Sequence, residues 1–207
     1  MCVCQYGPAT VSSPVAGPDR SGAGCDDCAR MGRLQIAHTA DLDPATLAAA
    51  HALLDGAFDG DFDEHDWEHA LGGMHALMWE DDALAGHASV VQRRLLHGGR
   101  ALRAGYVEGV GVRIESRRRG HGSAMMQALE RIVRGAYDLG ALGATDAAAP
   151  LYAARGWRPW RGRCAALTPD GIRHTPEEEG FVYVLPGDVE LDLDAELCCD
   201  WRDGDVW

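Results

Sequence analysis

One stretch constrains the fold of this chain more than any other. Tyr106-Val-Glu-Gly-Val-Gly-Val-Arg113 has the apolar, β-branched make-up of a strand, and Arg117-Arg-Arg-Gly-His-Gly-Ser123 is a glycine-rich loop that opens a helix. The first N–H groups of a helix have no intrahelical partner and point outwards, so such an opening is a ready anion site. Gly120 and Gly122 remove the Cβ atoms that would keep a ligand from the backbone. Arg117, Arg118 and Arg119 add positive charge beside it. The plain alternative is a surface loop with solvated arginines between a hydrophobic strand and an apolar helix.

The chain has 207 residues, enough for one domain with a sizeable core, or one domain and a tail. No apolar run approaches the ~20 residues that span a bilayer, so no membrane partner is expected. The net charge of −13 argues against a nucleic acid as substrate and leaves room for a cationic one. All 19 basic residues are arginine. Without lysine there is no Schiff-base nucleophile and no Walker-A phosphate loop. Cysteines stand at 2, 4, 25, 28, 164, 198 and 199. An adjacent pair and a long cysteine-free middle do not make a secreted disulfide framework, and a reducing cytoplasm fits better.

Residues 1–32 lack periodicity and carry Gly, Pro, Ser and four of the cysteines, as a disordered extension would. Met31 is well placed to be the true start. Cys2, Cys4, Cys25 and Cys28 offer four thiolates, but their spacing makes a poor zinc site, and no metal is expected. The folded domain is expected over 33–207.

Within that domain, Leu34–Thr39 alternates as a strand, and Asp43-Pro44 starts a helix with Leu47, Ala50, Leu54 and Phe58 on its apolar face. A second short helix spans Asp63–Leu71. Strands follow at Met74–Trp79, Leu84–Leu96 and Ala101–Arg113, with hairpin turns between them. Gly109 and Gly111 interrupt the last of these, as a bulge or a ligand lying alongside would require. Helical spacing runs over Gly120–Leu139, with Glu130 and Arg134 as an outward i,i+4 pair and Gly140 as the cap. A strand at Ala141-Leu142, a short helix at Pro150–Arg155, and strands at Trp157–Trp160 and Phe181–Leu185 complete an α+β order. The tail from Glu190 is acidic, with Trp201 and Trp207 as anchors.

The pattern Arg117-x-x-Gly120-x-Gly122 resembles the coenzyme-A pyrophosphate loop of GCN5-related N-acetyltransferases, and the element order resembles the GNAT fold. That fold is a mixed, mostly antiparallel central sheet flanked by helices. Acetyl transfer to an amine needs a pyrophosphate site, a place for the thioester, a base and an acid. Val110 and Val112, on a splayed strand, can present free main-chain groups to acetyl-CoA, with Arg117, Arg118, Arg119, Gly120, His121, Gly122 and Ser123 around its phosphates. Glu108 stands two residues before the acetyl position, where a carboxylate can take the ammonium proton. The alternative for Glu108 is a plain partner for a cation or an arginine. Tyr152, in Leu151-Tyr-Ala-Ala-Arg-Gly-Trp157, can protonate the departing thiolate or simply fill the core. Asp61, Asp66, Glu177–Glu179, Asp205 and the Trp207 carboxylate come from separate stretches that can ring one cleft and attract a polyamine.

Several longer segments are similar to the aminoglycoside 2′-N-acetyltransferases. They include Asp66-Trp-Glu-His69, Leu71-Gly-Gly-Met-His-Ala-Leu77, Gly105-Tyr-Val-Glu-Gly-Val110, Phe181-Val-Tyr-Val-Leu-Pro186 and Cys199-Asp-Trp-Arg-x-Gly-Asp-Val-Trp207. The resemblance implies an aminoglycoside acceptor bound by Asp61, Asp66, Glu108, Gly109, Glu178, Asp205 and Trp207. It also implies that Glu108 and the Trp207 carboxylate act through water as base, that Tyr152 is the acid, and that the enzyme is a homodimer. Two departures bear on acceptor preference. Gly143 stands where the family has a serine-rich patch, and Glu178 is one methylene longer than the family's aspartate. A cellular amine or polyamine acceptor, or a non-catalytic acyl-CoA sensor, are the competing expectations.

Overall fold

The computed structural model describes residues 32–145 and 147–207. The extension expected over 1–32, with Cys2, Cys4, Cys25 and Cys28, lies outside the described residues except for Gly32. One mixed sheet carries β1 (Arg33–His38), β2 (Met74–Glu80), β3 (Ala83–His97), β4 (Arg100–Val112), β5 (Leu139–Gly143), β6 (Arg158–Pro159), β7 (Cys164–Thr168), β8 (Gly171–His174), β9 (Val182–Pro186) and β10 (Leu197–Cys199). Its order is β6-β9-β5-β4-β3-β10-β7-β8, with β2 and then β1 attached to β3. Pairing is antiparallel except for β4 with β5 and β10 with β7. The helices are α1 (Pro44–Ala57), α2 (Glu64–His69), α3 (His121–Ala136) and α4 (Ala149–Ala153). The α+β expectation stands.

At fifteen residues, β3 is the spine. Val90 back to Ala83 pair with β2, whereas Leu95 and Leu96, further along, pair with β10. The tail that follows β10 is thereby brought beside β4. Neither β10 nor the β7–β8 hairpin was expected from the sequence, because β7 and β10 are short apolar runs without alternation and β8 is exposed throughout.

Local chemistry sets the helix boundaries. Asp43 caps α1, its carboxylate accepting from the Thr46 N–H at 2.9 Å, with Pro44 at the first helical position. Asp63 and Asp66 form a capping box on α2. Two expectations about α3 are corrected. The helix ends at Ala136, and Gly140 lies inside β5, where a Cβ would sit 2.9 Å from the Trp157 ring. Glu130 does not face outward with Arg134. It is 3% exposed and takes Arg155 at 2.7 and 2.9 Å and the Trp157 indole N–H at 3.0 Å, while Arg134 lies 3.9 Å away. The apolar stripe of α3 curls around Glu130, so this carboxylate clamps α3 to the segment that carries Tyr152.

Candidate active site

The site is made where β4 leaves its neighbours. On one side it pairs with β5 only at Ala104, Gly105 and Tyr106. Beyond Tyr106 that edge of β4 has no strand partner among the described residues. On the other side, His87 faces Gly111 and Ser89 faces Glu108, so three steps on β4 oppose two on β3. That is a bulge at Gly109-Val110, and Gly109 takes φ +54°, a region that only glycine enters without strain. The bulge expected from the two glycines is present, and both also face α1. A Cβ on Gly111 would lie 2.8 Å from Leu54 of α1, and one on Gly109 would lie 3.0 Å from the same side chain. They let α1 close onto the bulge.

A cleft of about 410 Å³ opens at the bulge. Asp61, Asp66, Glu108, Gly109, Val110, Tyr152, Glu178, Asp205 and Trp207, all singled out from the sequence, line it. Its apolar wall includes Phe58, Phe62 and Phe181. Of the acidic run Glu177–Glu179, only Glu178 reaches the cleft; Glu179 pairs with His174 at 2.7 Å. Asp66 is partly committed to its helix, one carboxylate oxygen accepting from the Asp63 N–H at 3.1 Å. Gly143 also lines the cleft and leaves open space where a side chain would project.

Glu108 is well enclosed, its side chain 14% exposed. Burial pushes its pKa up to about 7, against the opposing pull of the Arg202 guanidinium. Burial also raises Glu178 to about 7, helped by the neighbouring charges of Asp205 and Glu177. Tyr152 is 4% exposed, and burial holds its phenol protonated, at about 12.

Arg202 was not expected. One of its nitrogens donates to Glu108, another to the main-chain oxygen of Trp207, and Nε to the Asp205 carbonyl at 2.8 Å. The one signal in the sequence was a lone arginine among Asp200, Asp203 and Asp205 in a stretch that reads as acidic. A second arginine, Arg93, is 5% exposed and holds the same tail through the Asp200 carboxylate, the Asp200 carbonyl and the Val206 carbonyl, at 2.7–2.8 Å. The two guanidinium groups lie 4.8 and 5.5 Å from the Tyr106 ring centroid. Trp207 anchors the tail as expected, 4% exposed with its indole N–H on Thr175 at 3.0 Å; Trp201, 47% exposed, does not.

The glycine-rich loop lies beyond the cleft lining. Gly120 caps α3 with φ +84°, and the first helical hydrogen bond runs from the Ala124 N–H to the Gly120 carbonyl at 2.9 Å. The N–H groups of His121, Gly122 and Ser123 therefore have no helical partner. Three side chains of the loop build it rather than reach outward. Arg117 donates to the Val112 and Ala57 carbonyls, each at 3.1 Å. Arg119 at 3.0 Å and His121 at 2.7 Å converge on Glu80, which the Ser116 hydroxyl, His121 and Arg119 hold down at about 2. Arg118 is exposed, and nothing lies within 4 Å of where a Gly120 Cβ would stand.

Residues 40–160 match the family described as "Acetyltransferase (GNAT) domain". The chain is 51% identical over 177 residues to the aminoglycoside 2′-N-acetyltransferase of Mycolicibacterium fortuitum, covering 84% of this chain and 91% of that one. Among solved structures, the Escherichia coli GNAT-family N-acetyltransferase YhbS in complex with CoA superposes with a TM-score of 0.57 at 15% identity, over 84% of this chain and 91% of that one. Escherichia coli ElaA gives 0.51 at 20% identity, over 75% and 99%. The sheet order, the bulged and splayed β4 and the matches agree: the chain is an acetyltransferase of the GNAT superfamily and belongs to the aminoglycoside 2′-N-acetyltransferase family.

Proposed function

We propose that the enzyme transfers acetyl from acetyl-CoA to the 2′-amino group of an aminoglycoside, by direct attack with both substrates bound. The observation that carries this is the convergence of Asp61, Asp66, Glu108, Glu178, Asp205 and Tyr152 on one cleft beside the open edge of β4. The 51% identity to a relative of that name supports the choice of acceptor.

Acetyl-CoA supplies the activated acyl group. The residues present fit it: the unpartnered N–H groups at the start of α3 and the open space at Gly120 suit the pyrophosphate, with Arg118 free to add charge. Val110 and Val112 offer main-chain groups along the β4 edge. The acceptor arrives as a polycation, and the acidic rim raises its local concentration and orients its ammonium groups. An ammonium nitrogen has no lone pair to attack with. Glu108, at about 7, is matched to accept that proton near neutral pH, directly or through water, with the Trp207 main-chain carboxyl helping to hold the water. Arg202 contacts one oxygen of Glu108, which leaves the other for the acceptor. Tyr152, protonated at neutral pH, gives its proton to the departing thiolate.

We place the enzyme in the cytoplasm, in keeping with buried free thiols at Cys164, Cys198 and Cys199. A homodimer through the β7–β8 edge belongs to the same proposal, supported by exposed Leu167 and Ile172. The function is tested by NMR of the product formed from a 2′-amino aminoglycoside. Acetyl on the 2′ nitrogen is expected; acetyl on any other amine would overturn the assignment.

A further inference from the structure

Two histidines outside the cleft lining have no part in the chemistry above, yet both are fully buried and hydrogen-bonded in series. His75 on β2 and His87 on β3 are both 0% exposed. Thr39 Oγ1 lies 2.8 Å from His75 Nε2, His75 Nδ1 lies 2.8 Å from His87 Nε2, and His87 Nδ1 lies 2.8 Å from the carbonyl oxygen of Gly109. The last contact fixes every proton in the series. A carbonyl only accepts, so His87 carries hydrogen on Nδ1. Burial keeps both rings neutral, His87 at about 3 and His75 at about 4. The Nε2 of His87 is then an acceptor, His75 carries hydrogen on its own Nδ1, and its Nε2 accepts from the Thr39 hydroxyl. No polar atom of either ring is left without a partner.

The chain ends on the bulge that shapes the site. Gly109, at φ +54°, has no partner residue on β3, and its carbonyl accepts from a donor in the core, His87 Nδ1. The peptide joining Gly109 to Val110 is trans and planar, so its C=O and N–H point in opposite directions. Turning the carbonyl in toward His87 turns the Val110 N–H away from His87, on a residue that lines the cleft.

We propose that His87, oriented by His75, is a positioning residue for acetyl transfer: by holding the Gly109 carbonyl it aims the Val110 N–H at the acetyl carbonyl oxygen. This rests on the acetyl-transfer function proposed above. A main-chain donor aimed where negative charge develops contributes most when it needs no reorganisation. His87 does not touch substrate; its effect passes through one peptide plane. His75 serves to keep the proton of His87 on Nδ1.

The test compares His87→Asn, whose amide nitrogen can replace Nδ1, with His87→Leu and His87→Gln, which cannot reach the Gly109 carbonyl in the same way. The expected result is a kcat roughly 10- to 100-fold below wild type for the leucine and glutamine variants, somewhat less than the loss from deleting such a donor outright. The acceptor KM and coenzyme-A affinity stay within about two-fold, and His87→Asn recovers most of kcat, as a positioning role requires. A readout independent of turnover is the infrared band of acetyl-CoA labelled with ¹³C at the thioester carbonyl. Bound to wild type and to His87→Asn, it shifts to lower frequency; bound to His87→Gln, it returns toward its position in water. Nitrogen-15 NMR of the free enzyme is expected to show two neutral imidazoles protonated on Nδ1. Should His87→Leu not fold, the asparagine–glutamine pair decides alone. A kcat or carbonyl band indistinguishable between those two variants would overturn the proposal. Failure of acetyl-CoA to bind wild type would overturn the acetyl-transfer function first, and this inference with it.

Discussion

Arg202 ties β4 to the tail through Glu108 and the main chain of Trp207. Its guanidinium lies between Glu108 and the main-chain oxygen of Trp207, so it favours the ionised form of Glu108 against the burial that disfavours it. Two opposing effects set the pH at which the carboxylate becomes a base. Protonated Glu108 cannot take a proton, so kcat/KM is expected to fall as pH drops below about 7, the value for the free enzyme. Removing Arg202 takes away the effect that lowers the pKa. In Arg202→Gln the acid limb therefore moves to higher pH, by roughly one unit, the order of a partly buried charge pair. A limb that stays in place, measured over pH 5 to 9 in a constant-ionic-strength buffer, would show that Arg202 does not tune the base. From the sequence Glu108 was legible as either a base or an arginine partner, and the structure makes it the second without removing the first. Arg202 itself was not legible, because its partners lie on β4 and at the end of the tail, far apart in sequence.

At the scale of elements, the helix–strand pattern was readable wherever periodicity and capping were strong: Asp43 and Pro44 on α1, Gly120 before α3, the hairpin turns around β3. It failed where burial departs from pattern. Glu130 sits at a helical spacing that suits an exposed pair with Arg134, and nothing local in the sequence shows that Arg155 and Trp157 return to meet it. The consequence is measurable. An exposed i,i+4 pair would contribute under about 0.5 kcal/mol. A carboxylate at 3% exposure that holds a bidentate arginine and an indole is expected to cost roughly 3 kcal/mol when replaced, since it leaves the arginine without its partner. Urea unfolding of Glu130→Leu reads this directly, and a change below about 0.5 kcal/mol would return Glu130 to the surface. Because Arg155 and Trp157 directly follow α4, the variant is also expected to lose activity through a displaced Tyr152. The glycines of β4 were legible as a bulge, but their cause was not: Leu54, more than fifty residues earlier, fills the space beside them.

Over the whole molecule, a net charge of −13 and an acidic cleft act in the same direction on a cationic acceptor. At 0.15 M ionic strength the field of exposed charges is screened beyond about 8 Å. Steering of a polycation is therefore expected to lower kcat/KM several-fold as salt rises from about 0.02 to 0.3 M, leaving kcat nearly unchanged. A kcat/KM insensitive to salt would mean that the rim does not draw the acceptor in. The acidic ring was legible as separate residues and is one ring only because β10 pairs with the far half of β3 and brings the tail across β4. The acceptor is tested most directly by thiol release from acetyl-CoA by the purified protein, across matched aminoglycosides with an amine or a hydroxyl at the 2′ position. Turnover confined to the 2′-amino compounds is the expected result. Turnover on the 2′-hydroxyl compounds as well, or none on either while coenzyme A still binds, would contradict transfer to the 2′-amine.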